Sequence, residues 1–297
     1  MKCDLCPRKC LVDRKKGEKG ICGQTENLKV ARAALHFWEE PCISGDAGSG
    51  AVFFSGCPLH CVFCQNENIA NGTVGKEISL ERLVDIFLEL QEKRANNINL
   101  VTPGHFVPQI VKALDQARKE GLTLPVVYNT SSYETVDTIK MLEGYVDIYL
   151  PDFKYMSPVL SKKYSRAPDY AEVAKAAIAE MVRQTGKAVF VNGDEDNLIL
   201  SGTIVRHLTL PGCMADSMQI VKYLHDTYGD KIYISIMNQF TPLSNLEKYP
   251  ELNRRITDEE YETLVDYAIE IGIENGFIQE GDTAEESFIP AFDCEGV

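Results

Sequence analysis

The sequence predicts an α/β fold built on parallel strands, and three observations carry that expectation. Short apolar runs alternate with amphipathic helical stretches six times after residue 50. Several helical stretches close at a glycine, as at Gly121, Gly186 and Gly272. The chain has 297 residues, 44% of them hydrophobic and 25% charged, which suits one large globular core. Such alternation leaves a barrel, a partial barrel or a doubly wound sheet open, and all three gather ligand sites at the carboxyl ends of their strands.

In chain order, residues 28–38 (LKVARAALHFW) read as extended, and 45–50 (GDAGSG) as a flexible turn, since no P-loop lysine follows. Residues 50–54 form a buried strand, assigned from residue 51. Residues 80–94 carry apolar side chains at Leu83, Ile86, Phe87 and Leu90, the spacing of one helical face, with Ser79 placed to cap it. The alternation continues with a strand at 98–101, a helix at 107–120, a strand at 124–128, a helix at 134–142, a strand at 146–150 and a helix at 170–185. Residues 189–200 suggest a hairpin turning near Asn192-Gly193. A strand at 203–210, a helix at 217–228, a strand at 231–237 and a helix at 258–271 complete the pattern.

Ten cysteines in a chain that starts MKCDLCPRKC, without an apolar signal core, point to metal ligation or redox chemistry in the cytoplasm rather than to a disulfide framework. No apolar run approaches the roughly 18 residues that cross a membrane. The net charge of −14 argues against a general nucleic-acid binder, which needs a basic face for phosphates.

Seven cysteines fall in two groups. Cys57, Cys61 and Cys64 make a C-x3-C-x2-C run inside SGCPLHCVFCQN, directly after the first buried strand. Thiolates so crowded are soft ligands for zinc, copper(I) or an iron–sulfur cluster, and three of them leave one position of a four-ligand site open for substrate or cofactor. Cys3, Cys6, Cys10 and Cys22 (C-x2-C-x3-C-x11-C) instead supply four ligands, a closed knuckle for structural zinc or for a [4Fe–4S] cluster. Cys42, Cys213 and Cys294 read as small buried hydrophobes, with Cys213 placed just past a strand end. A zinc-binding interaction protein without catalysis is the competing reading; the three-ligand run speaks against it.

The C-x3-C-x2-C run with Phe63 before its last cysteine resembles the signature of the radical S-adenosylmethionine (SAM) superfamily. Gln65-Asn66 behind it, with the stretches 39–45, 97–103, 147–155 and 206–212, is similar to the pyruvate formate-lyase activating enzyme branch, as an uncharacterised relative. The resemblance covers nearly the whole chain. It implies a six-stranded partial (β/α)6 barrel of the TIM type, here over residues 46–297, to which this chain adds a cysteine-rich metal-binding extension and lead-in over 1–45. It implies a [4Fe–4S] cluster on Cys57, Cys61 and Cys64, whose fourth iron holds SAM. An electron from flavodoxin or ferredoxin then yields a 5′-deoxyadenosyl radical that abstracts hydrogen from a protein or peptide. The branch activates glycyl-radical enzymes; another peptide or a small molecule is the alternative. Electron-consuming chemistry next door favours a second cluster over zinc at Cys3, Cys6, Cys10 and Cys22.

The same resemblance nominates cofactor contacts. Thr102 and His105 stand where the branch has Gly-Gly-Glu, which this chain lacks. Asn129, Thr130, Asp152 and Lys154 match a cation and carboxylate site, with asparagine for its first aspartate. Asn66 follows the cysteines, and Arg206 faces the cavity. Side chains alternate along a strand, so His207 must then pack outward. Asn238, Gln239 and Phe240 follow the last strand as neighbours for adenine or ribose.

Overall fold

A computed structural model describes residues 2–193, 197–242, 246–279 and 290–297. A strand, β1 (Lys29–His36), leads through the short helix α1 (Pro41–Ser44) into β2 (Ser49–Phe54). After the cysteine loop come α2 (Glu67–Ala70), β3 (Lys76–Glu77), α3 (Leu80–Glu92), β4 (Ile98–Val101), α4 (Val107–Lys119) and β5 (Val126–Thr130). The chain continues through α5 (Val136–Lys140), β6 (Ile148–Pro151), α6 (Pro158–Ser165), α7 (Tyr170–Thr185), β7 (Val189–Phe190) and β8 (Ile199–Leu208). It finishes with α8 (Met214–Tyr228), β9 (Tyr233–Met237), α9 (Asp258–Glu270) and β10 (Gly276–Ile278).

The strands form one sheet in the order β10-β9-β8-β6-β5-β4-β2-β1-β3. From β2 to β10 all neighbours on this path are parallel, and the sheet does not close. This is the partial barrel that the alternation and the resemblance implied. Its strands are buried on both faces over β2, β4, β5, β6 and β9, because helices cover the outside and core or cavity fills the inside.

Local chemistry explains the elements. Ser79 accepts the Arg82 N–H at 3.1 Å, and Leu83, Ile86, Phe87 and Leu90 seat α3 in the core beside β2 and β4. Each such fully buried side chain contributes on the order of 1.5–3 kcal/mol. Thr257 and Glu260 close a capping box at the start of α9. The structure also departs from the pattern reading. β2 starts at Ser49, so the expected turn occupies residues 45–48 and its last two residues belong to the strand. The expected hairpin is present as β7 against β8, with residues 194–196 of its turn outside the described residues. A further parallel strand, β10, was not anticipated: Gly276–Ile278 is too short to stand out as an apolar run, and only pairing with β9 makes it a strand. Among the described residues no helix is long and apolar enough to cross a membrane.

Candidate active site

A cavity of about 740 Å³ opens at the carboxyl ends of the parallel strands. Cys57, Cys61, Cys64, Asn66, Thr102, Asn129, Thr130, Asp152, Lys154 and Arg206, all singled out in the sequence, line it together.

The cysteine loop is anchored by its apolar residues. Leu59 is fully buried, and Phe63 packs edge-on among Tyr155, Tyr164 and Phe240 at ring-centre separations of 6.0–6.4 Å. Val62 N–H donates to Tyr164 O at 2.9 Å, the Ser165 hydroxyl donates to Cys61 Sγ at 3.1 Å, and the Gln65 amide donates to Gln239 O at 3.0 Å. Gly56 enters the loop at φ +93°, and a Cβ there would lie 2.5 Å from Cys22 O, so this turn accepts only glycine. Burial pushes the Cys57 thiol up to about 11 and Cys64 to about 12, with neighbouring cysteines adding and Lys154 opposing.

Below the loop lies a network of charges. Arg206 on β8 uses its whole guanidinium: Nε meets Asp152 at 2.9 Å, Nη1 meets Glu39 at 2.8 Å and Nη2 meets Asn129 Oδ1 at 2.7 Å. Lys154 Nζ meets the other Asp152 oxygen at 2.6 Å. Glu39 Oε1 also accepts from the Asn99 and Asn129 amides, at 3.2 and 3.1 Å. Burial would raise Asp152, but Lys154 and Arg206 overcome it and hold the carboxyl below its ordinary range. Burial likewise opposes the charge on Lys154, and the Asp152 carboxylate restores it. Thr102 sits at the cavity wall with φ +55°, a strained setting for a β-branched residue, held by its N–H on Asn129 O at 2.9 Å.

Several nominated groups are otherwise engaged. His105 does not reach the cavity: it is 3% exposed, its Nε2 bonds Ser55 O at 2.7 Å, and burial lowers its pKa to about 3. It is the middle residue of the short turn Gly104–Phe106 that leads into α4, packed against Phe106. The Thr130 hydroxyl donates to Glu134, and Asn129 Oδ1 is taken by Arg206, so a guanidinium occupies the acceptor that a bound cation would use. His207 packs outward between Phe153 O (2.7 Å) and Ser217 (2.9 Å). Gln239 lines the cavity and Phe240 packs behind the cysteine loop. Sequence reasoning missed Glu39 and Glu40 as cavity residues. They lie in the lead-in before the barrel, and the one available signal was a Glu-Glu-Pro run within a stretch that carried the family resemblance. It also missed Tyr170, whose hydroxyl ties Lys154 N, Asp152 O and Ser131 O together at 2.8–2.9 Å.

The second sulfur group rests on the outside of this loop. Arg8, between Cys6 and Cys10, donates to Pro58 O, Ser165 O and Arg166 O at 2.6–2.9 Å and stacks over Tyr133. His60 Nε2 meets Ile21 O at 2.8 Å, and Arg14 reaches His105 O at 2.5 Å. The four thiols sense one another. Burial pushes Cys6 up to about 12, with Glu134, Cys22 and Cys10 adding, and burial raises Cys22, with Cys3 and Cys10 adding. None of these cysteines is in a disulfide.

Residues 51–194 match the family model described as the radical SAM superfamily. Residues 51–194 of this chain are a radical SAM domain. An uncharacterised protein of Methanocaldococcus jannaschii is 27% identical over 272 residues, covering 90% of this chain and 74% of its own length. Among solved structures, methylornithine synthase PylB matches 80% of this chain and 66% of its own, with a TM-score of 0.52 and 14% identity. HydG, a maturase of the [FeFe]-hydrogenase, matches 76% of this chain at a TM-score of 0.51 and 14% identity. SuiB of Streptococcus suis, solved with its precursor peptide SuiA, matches 75% at a TM-score of 0.50 and 13% identity. These three show the shared fold. The chain spans 46% of the SuiB chain and 50% of HydG, about half of each.

Radical SAM membership implies a [4Fe–4S] cluster and SAM, and the donor chemistry fits. Three thiols on one rigidly seated loop face a cavity that also presents an ion-paired Asp152–Lys154. Thiolates are the ligand type such clusters take. Among the described residues no three Cys, His, Asp or Glu side chains already stand as a finished metal site. Thiols bind such a centre as thiolates and give up protons on binding, so metal affinity rises with pH.

Proposed function

We propose that this radical SAM enzyme abstracts hydrogen from a peptide or protein substrate, in the manner of the pyruvate formate-lyase activating enzymes that its sequence resembles. The observation that carries the reading is the single cavity shared by Cys57, Cys61 and Cys64 with Asp152, Lys154 and Arg206. Cys57, Cys61 and Cys64 would hold the cluster and leave it a position open to SAM. When bound, cluster and SAM would supply one-electron reductive cleavage and hydrogen-atom abstraction from substrate, with the electron from a flavodoxin or ferredoxin.

The chain's own residues then bind and orient. Lys154 is charged and 16% exposed, so it can meet the cofactor carboxylate while its other face stays on Asp152. Thr102, Asn66, Asn129 and Thr130 frame the cofactor, and Arg206 fixes Asn129 and Asp152 in place. Leu59 and Phe63 keep water from behind the cluster loop. In the unit formed by residues 1–45, Cys3, Cys6, Cys10 and Cys22 hold a second metal centre, a [4Fe–4S] cluster. The test is anaerobic reconstitution followed by reduction. Wild type should convert SAM to methionine and 5′-deoxyadenosine, and Cys57→Ala, Cys61→Ala and Cys64→Ala should each abolish it. Cleavage retained in any of the three would overturn the assignment. A glycyl doublet in electron paramagnetic resonance, after incubation with candidate glycyl-radical proteins, decides between activase and other peptide chemistry.

A further inference from the structure

The charged residues on the cavity floor do not balance, and the imbalance falls on one side chain. Glu39, Glu40 and Asp152 face Lys154 and Arg206. Arg206 is committed to Asp152, Glu39 and Asn129, and Lys154 to Asp152. Both Glu39 oxygens are filled, Oε2 by Arg206 and Oε1 by Asn99 and Asn129. His36, on the same wall, supplies no positive charge, because burial, helped by Arg32 and Arg206, lowers its pKa to about 4.

Glu40 is the residue left over. It lines the cavity, is 8% exposed, and its Oε2 has no hydrogen-bond partner among the described residues. Ser235 on β9 lends a hydroxyl to the same carboxyl. A buried carboxylate without a cation costs several kcal/mol. Protonation would remove the charge yet leave an O–H with no acceptor, which is also unfavourable. A basic ligand group would satisfy either need. Beside it, Trp38 lines the same cavity with 60% of its surface exposed, an aromatic face suited to the stem or head of an organic cation.

We propose that Glu40 is a substrate-recognition residue, receiving a protonated amine or guanidinium of the substrate at the floor of the cavity. This rests on the reading of the cavity as the reaction chamber, and it narrows the substrate class to molecules or peptides with a basic side chain. Arg206 and Lys154 serve the site by occupying Glu39 and Asp152, so that Glu40 is the open acceptor.

The experiment is anaerobic calorimetry on the reconstituted, SAM-loaded protein, with N-acetyl-lysine amide, N-acetyl-arginine amide and uncharged N-acetyl-norleucine amide as probes. At least one cation should bind about tenfold or more tighter than norleucine, a difference of about 1.4 kcal/mol. The probe bound tighter tells ammonium from guanidinium. In Glu40→Gln the preference should shrink to within about twofold, with SAM affinity and circular dichroism unchanged. Equal affinities for the three probes, no binding of either cation, or a preference that survives Glu40→Gln would overturn the proposal. Loss of SAM binding in that variant would instead assign Glu40 to the cofactor and equally overturn it. The wild-type comparison stands even if the variant misfolds. SAM cleavage without substrate is measured in parallel: its failure alongside intact cation selectivity would reject the radical reading of the cavity, not the cation site.

Discussion

The two cysteine groups share a chemistry and differ in where the fold puts them. Cys57, Cys61 and Cys64 lie on a loop whose sulfurs border a cavity of about 740 Å³. Cys3, Cys6, Cys10 and Cys22 form a knuckle that lines no part of that cavity; Arg8 clamps it onto the loop's outer face at Pro58 and onto Ser165, and Arg14 onto the turn at His105. Three thiols beside open space suit a centre that exchanges ligands; four thiols packed against protein suit a closed one. The clamp adds a coupling, because the knuckle holds the backbone of Pro58, inside the cluster loop, through Arg8. A metal in the knuckle would therefore stiffen the cysteine loop at 57–64 as well as its own.

The largest test of that contrast is chemical. Alanine at any of Cys57, Cys61 or Cys64 should abolish SAM cleavage, whereas the Cys3/Cys6/Cys10/Cys22 quadruple alanine variant should still bind iron at the loop. Iron should fall from about eight to about four per chain in the quadruple variant, as two four-iron clusters require. About four irons in both proteins, with zinc lost from the variant, would make the knuckle a zinc site. Next comes the charged floor. Arg206→Met leaves Glu39 buried without its cation and Asp152 with Lys154 alone, and should cost about 3–5 kcal/mol in chemical denaturation. Arg8→Ala removes bonds to Pro58, Ser165 and Arg166 carbonyls together with the Tyr133 stack. Its expected cost is about 2–3 kcal/mol, with faster loss of cluster iron to a chelator, since bonds from a charged donor contribute about 1.5–3 kcal/mol.

The smallest effect has a sign set by linkage. Burial raises the Glu40 carboxyl above its ordinary value, with Glu39 adding and Arg206 opposing. The folded state then binds a proton more tightly than the unfolded chain, so Glu40 costs increasing stability as pH rises from the ordinary glutamate pKa through the folded one. Glu40→Gln should therefore melt higher than wild type at neutral pH. The gap should close below the ordinary glutamate range, where both forms are neutral. An equal gap at all pH values would mean that Glu40 is not a buried titrating carboxyl.

Much of the site could be read in the chain because it depends on local spacing. Three thiols within eight residues stay together in any fold. Asp152 and Lys154 could be placed because a parallel strand buried on both faces turns polar where it leaves the sheet; Arg206, inside β8, was placed by the family resemblance and strand alternation. His105 followed the same positional logic and failed, because Ser55 O and the Arg14 clamp pull the residue into the wall. No rule of spacing announces that hydrogen bond.

The sequence by itself determined the alternation of strands and helices, the ligand chemistry of the two cysteine groups and the identity of the strand-end polar residues. Each is a property of a short segment, set by periodicity or by side-chain type. Only the tertiary structure decided that the lead-in strand carries Glu39 and Glu40 to the barrel floor, and that the knuckle grips the cluster loop. It also decided that a guanidinium from β8 takes the Asn129 oxygen. Those pairings join residues 50 to 167 positions apart, and burial makes them decisive: away from water a charge must find a partner, wherever in the chain that partner lies.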